Sequence, residues 1–100
     1  MIRDLENKVV WITGAGSGIG QDAAIKLANL GMKVILSGRN IHTLKDTQER
    51  CKTNTIIKPV DVSKKSDVKN IFYEIKKEIG HVDILVNCAG INILKRDWDN

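Results

Sequence analysis

Between the apolar run Val9-Val10-Trp11-Ile12 and a helical pattern that begins near Ile19, the chain reads Thr13-Gly14-Ala15-Gly16-Ser17-Gly18-Ile19-Gly20. A strand, a glycine turn and a helix N-terminus in succession present free backbone N–H groups and the positive end of a helix dipole to an anion. The stretch is therefore a candidate phosphate cradle. A turn that serves chain geometry alone is the plainer alternative.

The segments around this loop alternate in period. Lys8–Thr13 predicts a buried strand with a continuous apolar core. Ile19, Ala23, Leu27 and Leu30 then recur at helical spacing, with Ala24 and Ala28 beside them to let the helix approach a sheet, and Gly31 stops it. Lys33–Ser37 predicts a second strand, and Asn40 caps a helix through about Cys51 with Ile41, Leu44 and Cys51 on its inner side. Thr55–Val60 predicts a third strand, where Pro59 marks an edge position or the strand's exit. Ser63 is the expected N-cap of a helix whose stripe is Val68, Ile71, Phe72, Ile75 and Ile79. Lys76 and Lys77 suit its C-terminal dipole, and Gly80 ends it. Val82–Val86 predicts a fourth strand, and residues 91–100 show no clear period. The resulting β-α-β-α-β-α-β order with short connections implies an α/β fold: a parallel sheet with right-handed crossovers. No repeat, low-complexity tract or linker interrupts it.

One hundred residues make one small domain, able to bury roughly two-thirds of its unfolded surface. The 16 basic and 12 acidic residues leave a formal charge of +4, scattered along the chain with only two Trp, one Tyr and one Phe. Nucleic-acid binding would want clustered lysines with aromatic platforms, so no such partner is expected. The charged N-terminus lacks the apolar core of a signal peptide, and no apolar run approaches a membrane span, so no membrane partner is expected either. Cys51 and Cys88 have no metal-type spacing, and Cys88, after an apolar strand, is expected to be a small buried residue. No metal site is expected, and a reducing, cytoplasmic environment fits. His42 and His81 are assigned to the surface.

Spacing narrows the loop's chemistry. A Walker A loop needs Gly, four residues, then Gly-Lys-Ser/Thr. From Gly14 the second glycine would fall on Ile19, and from Gly16 on Gln21, so that pattern fails. G-x-G-x-x-G fails as well, because Gly14 and Gly16 would again need a glycine at Ile19. G-x-x-x-G-x-G fits at Gly14, Gly18 and Gly20, preceded by Thr13. Gly14 permits the tight exit from the strand, Gly18 removes a side chain where the backbone must approach a pyrophosphate, and Gly20 lets the helix sit close to the first strand.

Thr13–Gly20, with Asp61-Val62, Val82-Asp83-Ile84-Leu85-Val86 and Asn87-Cys88-Ala89-Gly90, resembles the short-chain dehydrogenase/reductase family over about residues 8 to 91. The family usually has a second Asn where this chain has Cys88. The resemblance implies a Rossmann-type doubly wound parallel sheet of strand order 3-2-1-4, here truncated: residues 1–100 form a single N-terminal portion of an NAD(P)-binding domain that ends after strand four. It implies that Ser17 contacts the adenine ribose or its phosphate, and that Ile19 approaches the pyrophosphate through its backbone. It also implies that Asp61 hydrogen-bonds the adenine amino group beside Val62. The resemblance further implies that Asn87 and Ala89, with Gly90 next to them, line the floor of the cofactor site and help fix the central sheet. From position alone, Asp61 also fits a turn carboxylate at a strand exit.

Cofactor choice is expected at the end of the second strand. A carboxylate there would hold the ribose hydroxyls of NAD and repel a 2′-phosphate. This chain has Gly38 followed by Arg39, and a guanidinium suits a phosphate. NADP is favoured over NAD, with a plain surface arginine as the alternative and Ser17 in place of the basic residue that many NADP-using members carry in the loop.

In the family, hydride transfer needs a Ser and a Tyr-x-x-x-Lys pair in segments beyond the fourth strand. Tyr73 and Lys77 match that spacing formally, but in the helix before strand four, a place remote from the nicotinamide in the family, so the match is read as accidental and no catalytic residue is assigned. Trp98 resembles the start of the family's next helix, though it comes early. Ending where it does, the chain is expected to leave strand four as an open edge with an exposed apolar face, to be marginally stable and prone to associate, and to turn over no substrate. The resulting expectation is the cofactor-binding half of an NADP-preferring oxidoreductase that acts on an alcohol/carbonyl pair when complete, as a homo-oligomer. The alternatives are a non-enzymatic nucleotide-binding or partner-pairing module, and a partial chain without activity of its own.

Overall fold

Strand β1 (Val9–Thr13) is buried along its whole length, because both faces of the sheet around it are covered; hence its unbroken apolar run rather than an alternating one. In the computed structural model, which describes residues 5–51 and 54–88, β1 pairs in parallel with β2 (Lys33–Ser37) on one side and β4 (Ile84–Asn87) on the other. Strand β3 (Thr55–Ile57) pairs in parallel with β2, giving the order β3-β2-β1-β4 expected from the sequence. Helices α1 (Gly18–Asn29), α2 (Ile41–Arg50) and α3 (Lys65–Glu78) make the crossovers. The result is the doubly wound, Rossmann-type arrangement.

The two faces of the sheet carry separate cores. Val10, Ile12, Val34 and Leu36 pack with Ala24, Ala28, Met32 and Leu44 under α1 and α2. Val9, Trp11 and Ile35 pack with Val60, Ile71 and Ile75 beneath α3. The indole Nε1 of Trp11 donates to the buried hydroxyl of Ser37 at 2.8 Å, so both polar groups are satisfied within the apolar layer.

Several boundaries and faces differ from expectation. The inner face of α1 is Gly20, Ala24 and Ala28, not the stripe from Ile19; Ile19 is 69% exposed and Ala23 and Leu27 are half-buried. The small residues win the inner face because they let the helix axis come nearest the sheet. Ile41 is exposed ahead of the buried Leu44 and Thr47. β3 ends at Ile57, although Lys58 N–H still donates to Leu36 O and Val60 N–H to Gly38 O; Pro59, without an N–H, lies between them on this edge strand. Ser63 does not cap α3. Its N–H and hydroxyl both donate to Asp61 Oδ1, and the helix begins one residue later, with Lys64 at the cap position and no side-chain cap. Phe72 is 47% exposed, lying over a hollow beside β4 rather than in the stripe. Val82 precedes β4 and packs against the α3 core.

Two contacts fix where the site is built. Gly14 has φ +70°, which turns the chain out of β1, and a Cβ on Gly20 would overlap the Gly14 carbonyl oxygen and carbon, which are backbone and cannot swing away. At the other end of the sheet Asp83 Oδ2 accepts the Val9 N–H at 2.8 Å while Asp83 N–H donates to Val9 O at 2.8 Å, docking the start of β4 on β1.

Gly20→Ala is expected to destabilise the fold by about 2 kcal/mol or more through overpacking against backbone. Gly18→Ala, where φ is +56° and no atom lies within 4 Å, should cost only the left-handed conformation, about 1 kcal/mol. Urea unfolding of the two variants side by side checks the order. Accepting the Val9 N–H holds the Asp83 carboxyl below the usual carboxylate range, with the charges of His81 and Lys8 adding to this. A depressed folded-state value contributes stability that is complete above the unfolded value near about 4 and is lost as pH falls through the folded value. Thermal melts at descending pH should show this loss in the native chain and a shallower one in Asp83→Asn, which keeps an acceptor but no titrating charge.

Candidate functional site

The glycine loop has a seated half and an open half. In the seated half, Ala15 is fully buried; its N–H donates to Ser37 O at 3.0 Å, and its carbonyl accepts from the Thr47 hydroxyl at 2.8 Å. A Cβ on Gly16 would overlap the Thr43 side chain, so the loop lies flat on α2 at Thr43 and Thr47, one helical turn apart. In the open half, Ser17 stands at the cap of α1 in extended conformation with no side-chain hydrogen bond to the helix. A side chain added at Gly18 would project into open space. The first-turn N–H groups of α1, at Gly18, Ile19 and Gly20, have no intrahelical acceptor, and they carry the positive end of the helix dipole, roughly half a unit charge.

In front of this half lies a cleft of about 490 Å³, lined by the loop (Gly14, Gly16, Ser17), by the β2–α2 turn with Thr43, and by Val60, Asp61, Val62 and Ser63 beyond β3. Parallel strands put these three connections together at the carboxyl edge of the sheet, where an open α/β fold has its crevice. Arg39 is exposed at the cleft and forms no ion pair among the described residues. Asn40 caps α2, with Oδ1 accepting from His42 N–H at 2.9 Å and Thr43 N–H at 3.4 Å, as its sequence position predicts. Gly38 is constrained by packing: a Cβ there would stand 3.3 Å from Leu44 Cδ2 in the core.

Asp61 Oδ1 accepts from Ser63 Oγ at 2.6 Å and from Ser63 N–H at 3.0 Å. The hydroxyl bond first, then the N–H bond and the charges of Arg39 and Lys64, hold its carboxyl below the usual range, so it is ionised at neutral pH. At the far side of β1, the Thr13 hydroxyl donates to Asn87 Oδ1 at 2.7 Å and Cys88 N–H donates to Thr13 O at 3.1 Å, which fixes the carboxyl end of β4 to that of β1.

Of the residues singled out in the sequence, Gly14, Ser17, Arg39, Asp61 and Val62 line one cleft. Gly18, Ile19 and Gly20 form the helix turn that adjoins it, while Asn87 stands one strand over, bonded to Thr13. Ala89, Gly90 and Trp98 lie outside the described residues. Sequence reasoning missed Gly16, Asn40 as a lining residue, Thr43 and Thr47. The recoverable signal was a Thr-x-x-x-Thr pair on the helix after the loop, with Thr47 beside the inner-face Leu44.

A larger, mainly apolar hollow of about 890 Å³ lies between α3 and the β4 edge, lined by Trp11, Val68, Phe72, Val82, Ile84 and Leu85, among others. The uncapped first turn of α3, at Lys65 and Ser66, reaches it, but its walls are mainly apolar and it holds no glycine turn, so the phosphate-type chemistry is sought in the smaller cleft. Leu85, on β4 at the end of the strand order, is 59% exposed there. Tyr73 is exposed on α3, in edge contact with Phe72 at 6.2 Å between ring centroids, and lines neither space. His81 is exposed, as expected, but it has a carboxylate partner: its Nε2 lies 3.2 Å from Asp83 Oδ2. Cys51 and Cys88 are free and half-buried, and burial pushes the Cys51 thiol up. Among the described residues, no three His, Cys, Asp or Glu side chains gather to hold a metal, and no helix is long and apolar enough to cross a membrane.

The chain is 35% identical over 96 residues to human dehydrogenase/reductase SDR family member 7, covering 89% of this chain and 28% of that protein. Its fold superposes on a short-chain dehydrogenase/reductase from Burkholderia phymatum solved in complex with NAD, with a TM-score of 0.75, 33% identity, and coverage of 81% of this chain and 30% of that one. It also superposes on L-sorbose reductase from Gluconobacter frateurii complexed with NADPH and L-sorbose, with a TM-score of 0.74, 28% identity, and coverage of 81% and 32%. The chain spans between 26% and 41% of the length of the curated relatives it matches. Residues 8–99 match the family model for short chain dehydrogenase, which with the strand order and the glycine spacing places the chain in the short-chain dehydrogenase/reductase family of oxidoreductases.

Proposed function

We propose that residues 1–100 supply the adenosine and pyrophosphate portion of an NAD(P) site in an oxidoreductase that interconverts an alcohol and a carbonyl, with NADP preferred. The observation that carries this reading is the cleft itself: a helix N-terminus behind an open glycine, with an unpaired guanidinium across from it. The donor set fits the group. Gly18 leaves the space in front of α1 clear for a pyrophosphate, whose oxygens would accept the first-turn N–H groups. Ser17 and Arg39 border the place of the adenine ribose, and Asp61 with Val62 the place of the adenine. Asp61 Oδ1 is already engaged by Ser63, so its other oxygen is the acceptor left for an adenine amino group. Asn87, bonded to Thr13 at the end of β1, would line the floor of the cofactor site, the role also proposed for Ala89 and Gly90.

The preference rests on charge. No carboxylate stands at Gly38, where a Cβ would press on the tip of Leu44, and Arg39 follows with its donors unspent. Relatives solved with NADPH and with NAD are consistent with either dinucleotide. When bound, the nicotinamide supplies or accepts the hydride. Holding the cofactor is the part proposed for these residues, with no hydride transfer by the 100-residue chain alone.

Titration of the chain with NADP+, NAD+ and adenosine 2′,5′-bisphosphate by calorimetry tests this. NADP+ should bind more tightly than NAD+, and adenosine 2′,5′-bisphosphate about as well as NADP+, because the cleft's donors among the described residues are proposed for the adenosine and its phosphates. Arg39→Asp should weaken NADP+ by about ten- to a hundredfold, the loss of hydrogen bonds between charged groups. Unchanged NADP+ affinity in that variant would sink the preference.

A further inference from the structure

Thr47 lies in the middle of α2, fully buried, with a hydroxyl that reaches beyond its own helix. A mid-helix threonine ordinarily bonds back to the carbonyl four residues earlier. Here that carbonyl, Thr43 O, lies at 3.2 Å, while the Ala15 carbonyl of the glycine loop lies nearer at 2.8 Å. The single hydroxyl proton is directed out of the helix to the loop. Gln21 Nε2, from the first turn of α1, donates to the same Oγ1 at 3.0 Å and so occupies its acceptor side. One buried oxygen therefore joins three pieces: the loop between β1 and α1, the start of α1, and α2.

We propose that Thr47 is a positioning residue for the dinucleotide, holding the glycine loop and the Arg39 turn in fixed relation through α2. The inference rests on the nucleotide reading above and adds a residue that touches no part of the ligand. Its logic is geometric. Arg39 and Asn40 lead directly into α2, and the loop lies on α2 at Thr43 and Thr47, so the seat of the loop and the carrier of the guanidinium are one rigid element. A bidentate guanidinium–phosphate contact and a helix N-terminus must engage groups a fixed distance apart on one ligand, and small misplacement weakens both. Thr47→Val keeps the shape and removes the hydroxyl. It leaves the buried Ala15 carbonyl and the Gln21 amide without partners, which favours a loop that shifts toward water.

NADP+ and adenosine 2′,5′-bisphosphate titrations of the native chain, Thr47→Val, Thr47→Ser and Gln21→Leu test this well below each melting temperature, alongside amide exchange. Thr47→Val should raise the Kd of both ligands about tenfold, Gln21→Leu about threefold, and Thr47→Ser should stay within about twofold of native. Exchange should quicken at Gly16 to Gly18 while β2 stays protected. A purely structural role would lower the melting temperature and quicken exchange throughout, with Kd of the folded protein unchanged. Native Kd in folded Thr47→Val overturns the inference and leaves the nucleotide reading intact. If Thr47→Val does not fold, Gln21→Leu decides, and native affinity there overturns the inference. No binding by the native chain removes the nucleotide reading and this inference with it.

Discussion

Everything at the carboxyl edge of the sheet depends on how closely α1 begins against the end of β1. Gly20 sits where a Cβ would overlap the Gly14 carbonyl, so the first turn of the helix lies directly over the strand it follows. With a side chain there, the helix would be pushed off the sheet, Ala24 and Ala28 would no longer meet Val10 and Ile12, and the first-turn N–H groups would point elsewhere. The approach therefore serves two ends with one contact. It closes the core beneath α1, and it aims a helix N-terminus across the crevice at the centre of the strand order, where β1 has β2 on one side and β4 on the other.

The fold was legible because the physics behind it is periodic. The unbroken apolar runs at 9–12 and 34–36 read as strands, the first of them buried, and β2 is found at the expected residues Lys33–Ser37. Failures came where two neighbours competed for one group. Ser63 is a good cap by type, but Asp61, two residues before it, takes both of its donors. Ile19 and Phe72 fit their helical stripes by hydropathy, yet smaller residues take the inner face of α1 and the α3 core closes on Ile71 and Ile75. Periodicity ranks residues by apolarity; it does not weigh how near an element has to come. The site was legible in its glycines and in Arg39 but not in Thr43 and Thr47, whose importance lies in contacts with residues about thirty positions away.

The loop divides its glycines between packing and openness. Gly16 and Gly20 are small because protein atoms crowd them, Thr43 in one case and Gly14 in the other. Gly18 is small where protein atoms are absent and the backbone is left-handed. Only the last of these marks a surface left clear for something outside the chain, and a spacing motif cannot tell the two kinds apart. A seated half beside an open half also means that the open amides are held in place before any ligand arrives, so less ordering is left to be done on binding.

On the nucleotide reading, the charges around the cleft narrow where a phosphate would sit. The starts of α1 and α2 both lend positive potential, and Arg39 adds a full charge. Asp61 opposes them from the β3 exit, where two hydrogen bonds from Ser63 fix its carboxylate and hold its pKa below the usual range. On that reading, Arg39 would attract a phosphate and Asp61 an amino group, so the two charges would help to orient a bound adenosine phosphate. The turn carboxylate that position alone allowed for Asp61 is no rival to a binding role, because that turn makes it a fixed acceptor.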